Sequence, residues 1–204
     1  MSGEKIGIYG GTFDPLHIGH LNLAIEIMEK RNLDEIWFCP VWINPHKLDQ
    51  QPTPVEHRLA MLRLALADVP HSRLIDIETK RHAPSFTVNT LKELQKEAPD
   101  KQFCLIMGDD AIPGFFRWHQ PEVIVKLAPV FIGRRLPESP SIEALNGDPL
   151  ICEAIKRGMT ATRMLEISGT EIRKRLAAGH YCGHLLPAKI IDYISEHHLY
   201  SNHQ

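Results

Sequence analysis

His17 and His20 are the two residues whose type and spacing most directly suggest chemistry. Three positions apart, they fall on one face of a helix. An imidazole there can donate a hydrogen bond to a phosphate oxygen. They follow Gly10-Gly11, which in turn ends the short apolar run 6–9. Strand, glycine turn and helix start together aim backbone N–H groups at an anion, at the positive end of the helix dipole. Glycines without side chains also let a phosphate approach the backbone. A metal site would need further ligands, and no nearby Cys or Glu stands at ligand spacing. Neither a Walker lysine nor the third glycine of a dinucleotide fingerprint is present. Phosphate binding is therefore favoured over a metal site or a structural histidine pair.

Other stretches carry weaker signals. Asn44-Pro45-His46-Lys47 forms the basic tip of a long loop, functional or merely a solvated linker. Ser85 and Thr87 precede a predicted helix, where either is by default an N-cap. Gly108-Asp109-Asp110 follows an apolar run; an acid there accepts ribose hydroxyls or caps a helix. Trp118 lies among polar neighbours before Pro121, placed for stacking on a flat ring or for the core. Arg134-Arg135 suits a phosphate or carboxylate, or a solvated turn. Ser168-Gly169-Thr170 opens a last helix with Arg173 in its first turn, a second anion clamp opposite His17 and His20.

The elements that must position these residues alternate. Predicted strands cover 6–9, 34–39, 74–77, 102–107, 128–133 and 163–167. Helices are predicted through Leu21, Ala24, Ile25 and Met28, and over 55–67, 88–97 and 186–200. Such alternation predicts an α/β fold with a mostly parallel sheet, helices on both faces and right-handed crossovers. Ligands then bind beyond the carboxyl ends of the strands, which brings His46 and Lys47 near His17 and His20. Residues 136–162 carry no assignable chemistry and are left to an insertion or a homo-oligomer contact.

At 204 residues and 23.2 kDa a single domain is expected, with 163–204 as a small C-terminal helical part. A net charge of -2 argues against coating DNA or RNA. Four scattered cysteines support neither a disulfide framework nor a zinc ribbon. No signal-type or membrane-length apolar run occurs, so the chain reads as cytoplasmic.

Gly10-Gly11-Thr12-Phe13-Asp14-Pro15-Leu16-His17-Ile18-Gly19-His20 resembles the first motif of the nucleotidyltransferase superfamily with the His-x-Gly-His box. With Pro45-His46-Lys47, Ala83-Pro84-Ser85-Phe86-Thr87, Gly108-Asp109-Asp110, Trp118 and Ile167-Ser168-Gly169-Thr170-Glu171-Ile172-Arg173, the chain resembles the bacterial nicotinate mononucleotide adenylyltransferases. The resemblance implies a Rossmann-like nucleotidyltransferase fold and transfer of an adenylyl group from ATP to the 5′-phosphate of nicotinate mononucleotide. It implies catalytic roles for His17, His20 and Arg173. Gly10, Gly11, Thr12, Phe13, Gly108, Asp110, Ser168 and Thr170 would bind ATP. Lys47, His46, Thr87, Trp118 and Arg134 would bind the mononucleotide, with Trp118 stacked on the pyridine. Mg²⁺ would arrive mainly on the ATP phosphates. His119 departs from the tyrosine often found after this tryptophan. The alternatives are an adenylyltransferase for nicotinamide mononucleotide or phosphopantetheine, and a non-catalytic nucleotide sensor on the same fold. A tRNA synthetase shares the box, but the chain has no Lys-Met-Ser-Lys-Ser run.

Overall fold

A computed structural model describes residues 3–43, 51–135, 138, 140 and 147–201. Six strands form one sheet: β1 (Lys5–Gly11), β2 (Glu35–Pro40), β3 (Ser72–Leu74), β4 (Gln102–Gly108), β5 (Val130–Gly133) and β6 (Met159–Thr160). Every pairing is parallel and the spatial order is β3-β2-β1-β4-β5-β6. The order reverses between β1 and β4, so the strand ends there open a crevice.

Alternation along the strands assigns the two faces. Tyr9, Ile36, Phe38, Cys104 and Ile106 pack with α1 (Ile18–Arg31), α2 (Val55–Leu66), α7 (Gly169–Ala177) and α8 (Ala188–Glu196). Ile6, Ile8, Trp37, Cys39, Phe103, Leu105, Met107, Val130 and Ile132 pack on the other side. They meet α3 (Thr87–Glu97), α4 (Ile112–Phe115), α5 (Pro121–Leu127) and α6 (Pro149–Gly158). The α/β architecture with helices on both faces is as expected, and the sheet is wholly rather than mostly parallel.

Three elements differ from expectation. The strand predicted over 163–167 does not form. The sheet edge is taken instead by β6, inside a region left unassigned, and α6 buries Ile151 and Ile155 beneath it. Gly158 allows this junction, since a Cβ there would lie 1.9 Å from the Val130 carbonyl oxygen. Beyond β6, side chains satisfy the backbone in place of a ladder. Arg163 N–H donates to Glu26 Oε2 at 3.0 Å, and Asn22 and Arg135 donate to the Arg163 and Ile167 carbonyls at 3.1 and 3.0 Å. Second, β3 falls earlier than 74–77, because Ser72 and Arg73 pair with Ile36 and Trp37. Ile75 and Ile77 leave the sheet to pack on the second core. Third, α8 is shorter than 186–200; His198 and Tyr200 adopt φ of 50° and 60°, turning the chain back on itself.

Candidate active site

The crevice between β1 and β4 holds a cavity of about 450 Å³. Gly10, Gly11, Thr12, Phe13, His17, His20, Thr87, Gly108, Asp110, Trp118, Ser168, Thr170 and Arg173 all line it. His46 and Lys47 lie outside the described residues. Arg134 is exposed, its backbone N–H bonded to Thr162 Oγ1 at 2.8 Å, and it is Arg135 that lines the cavity.

His17 is the N-cap of α1 and His20 its third residue. The rings stack with centroids 3.6 Å apart and planes at 24°. His20 Nδ1 accepts the His17 backbone N–H at 3.3 Å. A neutral His20 therefore carries its proton on Nε2, an assignment by hydrogen-bond network that leaves Nε2–H as a donor. Phe13 and Tyr9 meet the His20 ring edge-on at 5.2 and 6.1 Å. Burial is the main force on both rings. It lowers the His17 pKa to about 3, with Arg135 adding repulsion. His20 also titrates well below its ordinary value, through burial, then His17, then Arg135. Near neutral pH the pair offers neutral N–H donors rather than charges.

The two glycines behave differently. A Cβ on Gly11 would meet the Phe13 ring at 2.9 Å, so this glycine makes room for an aromatic neighbour. A Cβ on Gly10 would meet nothing nearer than the Cys39 carbonyl at 4.0 Å. Gly10 thus leaves its space to the cavity.

Opposite α1 stands the start of α7. Ser168 is its N-cap by position, yet its side chain makes no capping bond. Arg173 Nη1 donates to the Asp14 carbonyl at 2.7 Å, and Nη2 donates to Thr170 Oγ1 at 3.3 Å. At the end of β5, Arg135 pairs with Asp110 at 3.1 Å, and its N–H donates to Asp109 Oδ1 at 2.7 Å. Gly108 makes this possible: a Cβ there would lie 2.3 Å from Asp110 Oδ1 and 2.4 Å from Arg135 Cδ.

Thr87 and Trp118 belong to a further wall. Ser85 Oγ accepts the Trp42 N–H at 3.1 Å and Ser85 N–H donates to the Ile43 carbonyl at 3.1 Å. That ties the loop before α3 to the loop after β2. Phe86 meets His119 at 4.9 Å, and Trp118 meets Phe115 at 5.0 Å. Behind this wall Glu78 is 5% exposed and accepts the Thr90 hydroxyl at 2.6 Å. Burial raises its pKa against the opposing pull of Thr90, Ser85 and Arg81.

Sequence reasoning named Arg135 only as one of a pair with Arg134, and it missed Asp14 and Arg58. Arg58 is 1% exposed and donates to four carbonyls, those of Thr53, Thr12, Val41 and Trp42, at 2.9 to 3.2 Å. It ties the glycine loop to the loop after β2. One signal was available: Arg58 shares helical spacing with the buried Met61, Leu62 and Ala65, and a charge on an apolar face must find oxygens.

The cavity, its two helix starts and the parallel sheet are those of a nucleotidyltransferase. The sequence pattern of the family described as cytidylyltransferase-like matches residues 8–175, and the chain belongs to that family. A Salinibacter ruber protein, named a probable nicotinate-nucleotide adenylyltransferase, is 36% identical over 96% of this chain and 97% of its own. A Bacillus pumilus protein of the same name is 36% identical over 98% of this chain and 100% of its own. Within the wider family the chain therefore belongs to the nicotinate-nucleotide adenylyltransferases. The fold agrees with that of Plasmodium falciparum nicotinic acid mononucleotide adenylyltransferase complexed with NaAD. The TM-score is 0.76 at 23% identity, covering 97% of each chain.

Proposed function

We propose that this chain transfers the adenylyl group of ATP to the 5′-phosphate of nicotinate mononucleotide, giving deamido-NAD and pyrophosphate in NAD biosynthesis. The observation that carries the reading is the opposition, across one cavity, of the stacked His17/His20 pair and the tethered Arg173. The acceptor phosphate is already a nucleophile at neutral pH, so no Ser, Cys or general base of the protein is required. The protein aligns that phosphate with the α-phosphate of ATP and stabilises charge developing toward pyrophosphate, in one direct in-line displacement.

His17 and His20 act as neutral donors, Ser168 and Thr170 as further donors from the start of α7, and Arg173 as the fixed cation. Gly10, Gly11, Thr12 and Phe13 shape the loop around the triphosphate, and Asp110 beside Gly108 takes the ribose hydroxyls. Thr87 and Trp118 take the pyridine end, and we assign the cation there to Arg135, which lines the cavity, in place of Arg134. His46 and Lys47 keep their role at the acceptor phosphate. Among the described residues no group of three or more His, Cys, Asp or Glu is placed to hold a metal. In this reading Mg²⁺ would be carried mainly on the ATP phosphates, where it would neutralise charge. The free thiols Cys39, Cys104, Cys152 and Cys182 support a cytoplasmic setting.

The test is pyrophosphate release with MgATP and, in turn, nicotinate mononucleotide, nicotinamide mononucleotide and phosphopantetheine. Clear preference for nicotinate mononucleotide is expected. Preference for the amide would overturn the acceptor assignment and leave the mechanism. ATP binding without release on any acceptor would favour a nucleotide sensor.

A further inference from the structure

Asp14 lies at the centre of contacts that no local sequence feature announces. It lines the cavity and is 9% exposed. Its carbonyl accepts from Arg173 at 2.7 Å, and the same guanidinium nitrogen stands 3.9 Å from its Oδ2. Oδ2 accepts the Thr53 N–H at 3.2 Å, and Oδ1 accepts the Tyr200 hydroxyl at 2.6 Å. Thr53 is in turn held through its carbonyl by the buried Arg58. One residue, through its carbonyl and its carboxylate, thus joins the glycine loop, the chain leading into α2, the start of α7 and the segment after α8.

The backbone is unusual at Tyr200 and at the residue next to Asp14. Phe13, just before Asp14, has φ 49°, and Tyr200 has φ 60°. Bulky residues rarely adopt positive φ, and such geometry persists where surrounding contacts over-determine it. Burial and the neighbouring Asp14 carboxylate both raise the Tyr200 pKa, so the hydroxyl remains a donor at neutral pH. A phenol donating to a carboxylate at this distance is a charge-assisted bond of the stronger kind.

We propose that Asp14 and Tyr200 are positioning residues of the nucleotide site, their hydrogen bond fixing the turn from which Asp14 holds Arg173 against the cavity. Neither needs to touch the reacting atoms. The inference rests on the nucleotide reading of the cavity and extends it to a residue 186 positions away in the chain.

The test compares wild type, Tyr200→Phe, Arg173→Lys and the double variant. MgATP affinity is read by calorimetry, kcat by pyrophosphate release and folding by circular dichroism. Tyr200→Phe, folded like wild type, should bind MgATP about fivefold more weakly and lose kcat, because one hydrogen bond behind the site is gone. Acting through Arg173, it should weaken Arg173→Lys by no more than about twofold further. Asp14→Asn, which can set an amide N–H against the Thr53 N–H, is the second variant and should weaken MgATP at least as much as Tyr200→Phe. Wild-type affinity in both single variants overturns the proposal. So does a double variant whose loss equals the full product of the single losses. If wild type binds MgATP but serves no acceptor, the reaction assigned above fails, and the affinity comparison still decides this inference.

Discussion

On the α1 side of the cavity the polar rings of His17 and His20 are neutral and stacked on each other. On the side formed by α7 and the end of β5, the cationic groups are arginines already bonded to oxygens of the protein. A buried cation needs such partners, because desolvation without compensation is costly. A neutral imidazole needs fewer, and its N–H can be left waiting for charge that develops during reaction. The difference teaches a division of labour. Under the proposed function the arginine side would attract and fix an anion, and the histidine side would be reserved for the transition state.

The largest test of that division is His20→Ala. Loss of one preorganised donor aimed at developing charge costs about 10²–10³ in kcat. MgATP affinity should fall much less, since the arginines remain. Steady-state kinetics beside calorimetry checks this, and equal losses in both would erase the distinction between the two walls.

The next test uses pH. His17 has a folded pKa of about 3 against an ordinary 6.5, so below pH 6.5 the unfolded chain binds the proton that the folded chain refuses. Stability should be full above that pH and fall as pH drops from 6.5 toward 3. At pH 5 the loss from this residue is about 2 kcal/mol relative to pH 8. Urea unfolding at both pH values should show it, and His17→Asn should show a correspondingly flatter dependence. A dependence unchanged by the substitution would mean that the α1 wall does not hold its imidazole uncharged. Smaller still is Trp118→Ala, which removes a stacking surface from the third wall. KM for nicotinate mononucleotide should rise about five- to tenfold with kcat less affected, measured in the same pyrophosphate assay.

What was legible in the sequence follows the same contrast. The α1 wall is written locally: strand, glycine turn and an i,i+3 histidine pair lie within 6–20, and that periodicity survives without any tertiary information. The opposing wall is assembled from afar. Two-residue β6 is too short to show a period, and 163–167 has a strand-like composition whose backbone is claimed by Glu26, Asn22 and Arg135. The Asp14–Tyr200 bond has no local signature. Arg58 offers only a charge at a core position, legible once α2 is correctly phased.

The pair at the end of β5 shows how fine the limit is. Arg134 and Arg135 are equivalent by composition, and near a strand end successive side chains point to opposite sides, so a one-residue choice decides which meets the ligand. Arg135 lines the cavity and its side chain pairs with Asp110, and on that ground the proposed function gives the place to Arg135. Arg134→Ala should leave kcat and both KM values within about twofold, as for an exposed side chain outside the cavity lining. Arg135→Ala should do more: it releases Asp110 and removes a cation that depresses both histidines. The His17 and His20 pKa values should then rise, which NMR titration of the ring protons detects as a shift to higher pH. An Arg134→Ala chain that loses nicotinate mononucleotide binding while Arg135→Ala keeps it would reverse the assignment and move the acceptor's carboxylate outside the cavity described by these walls.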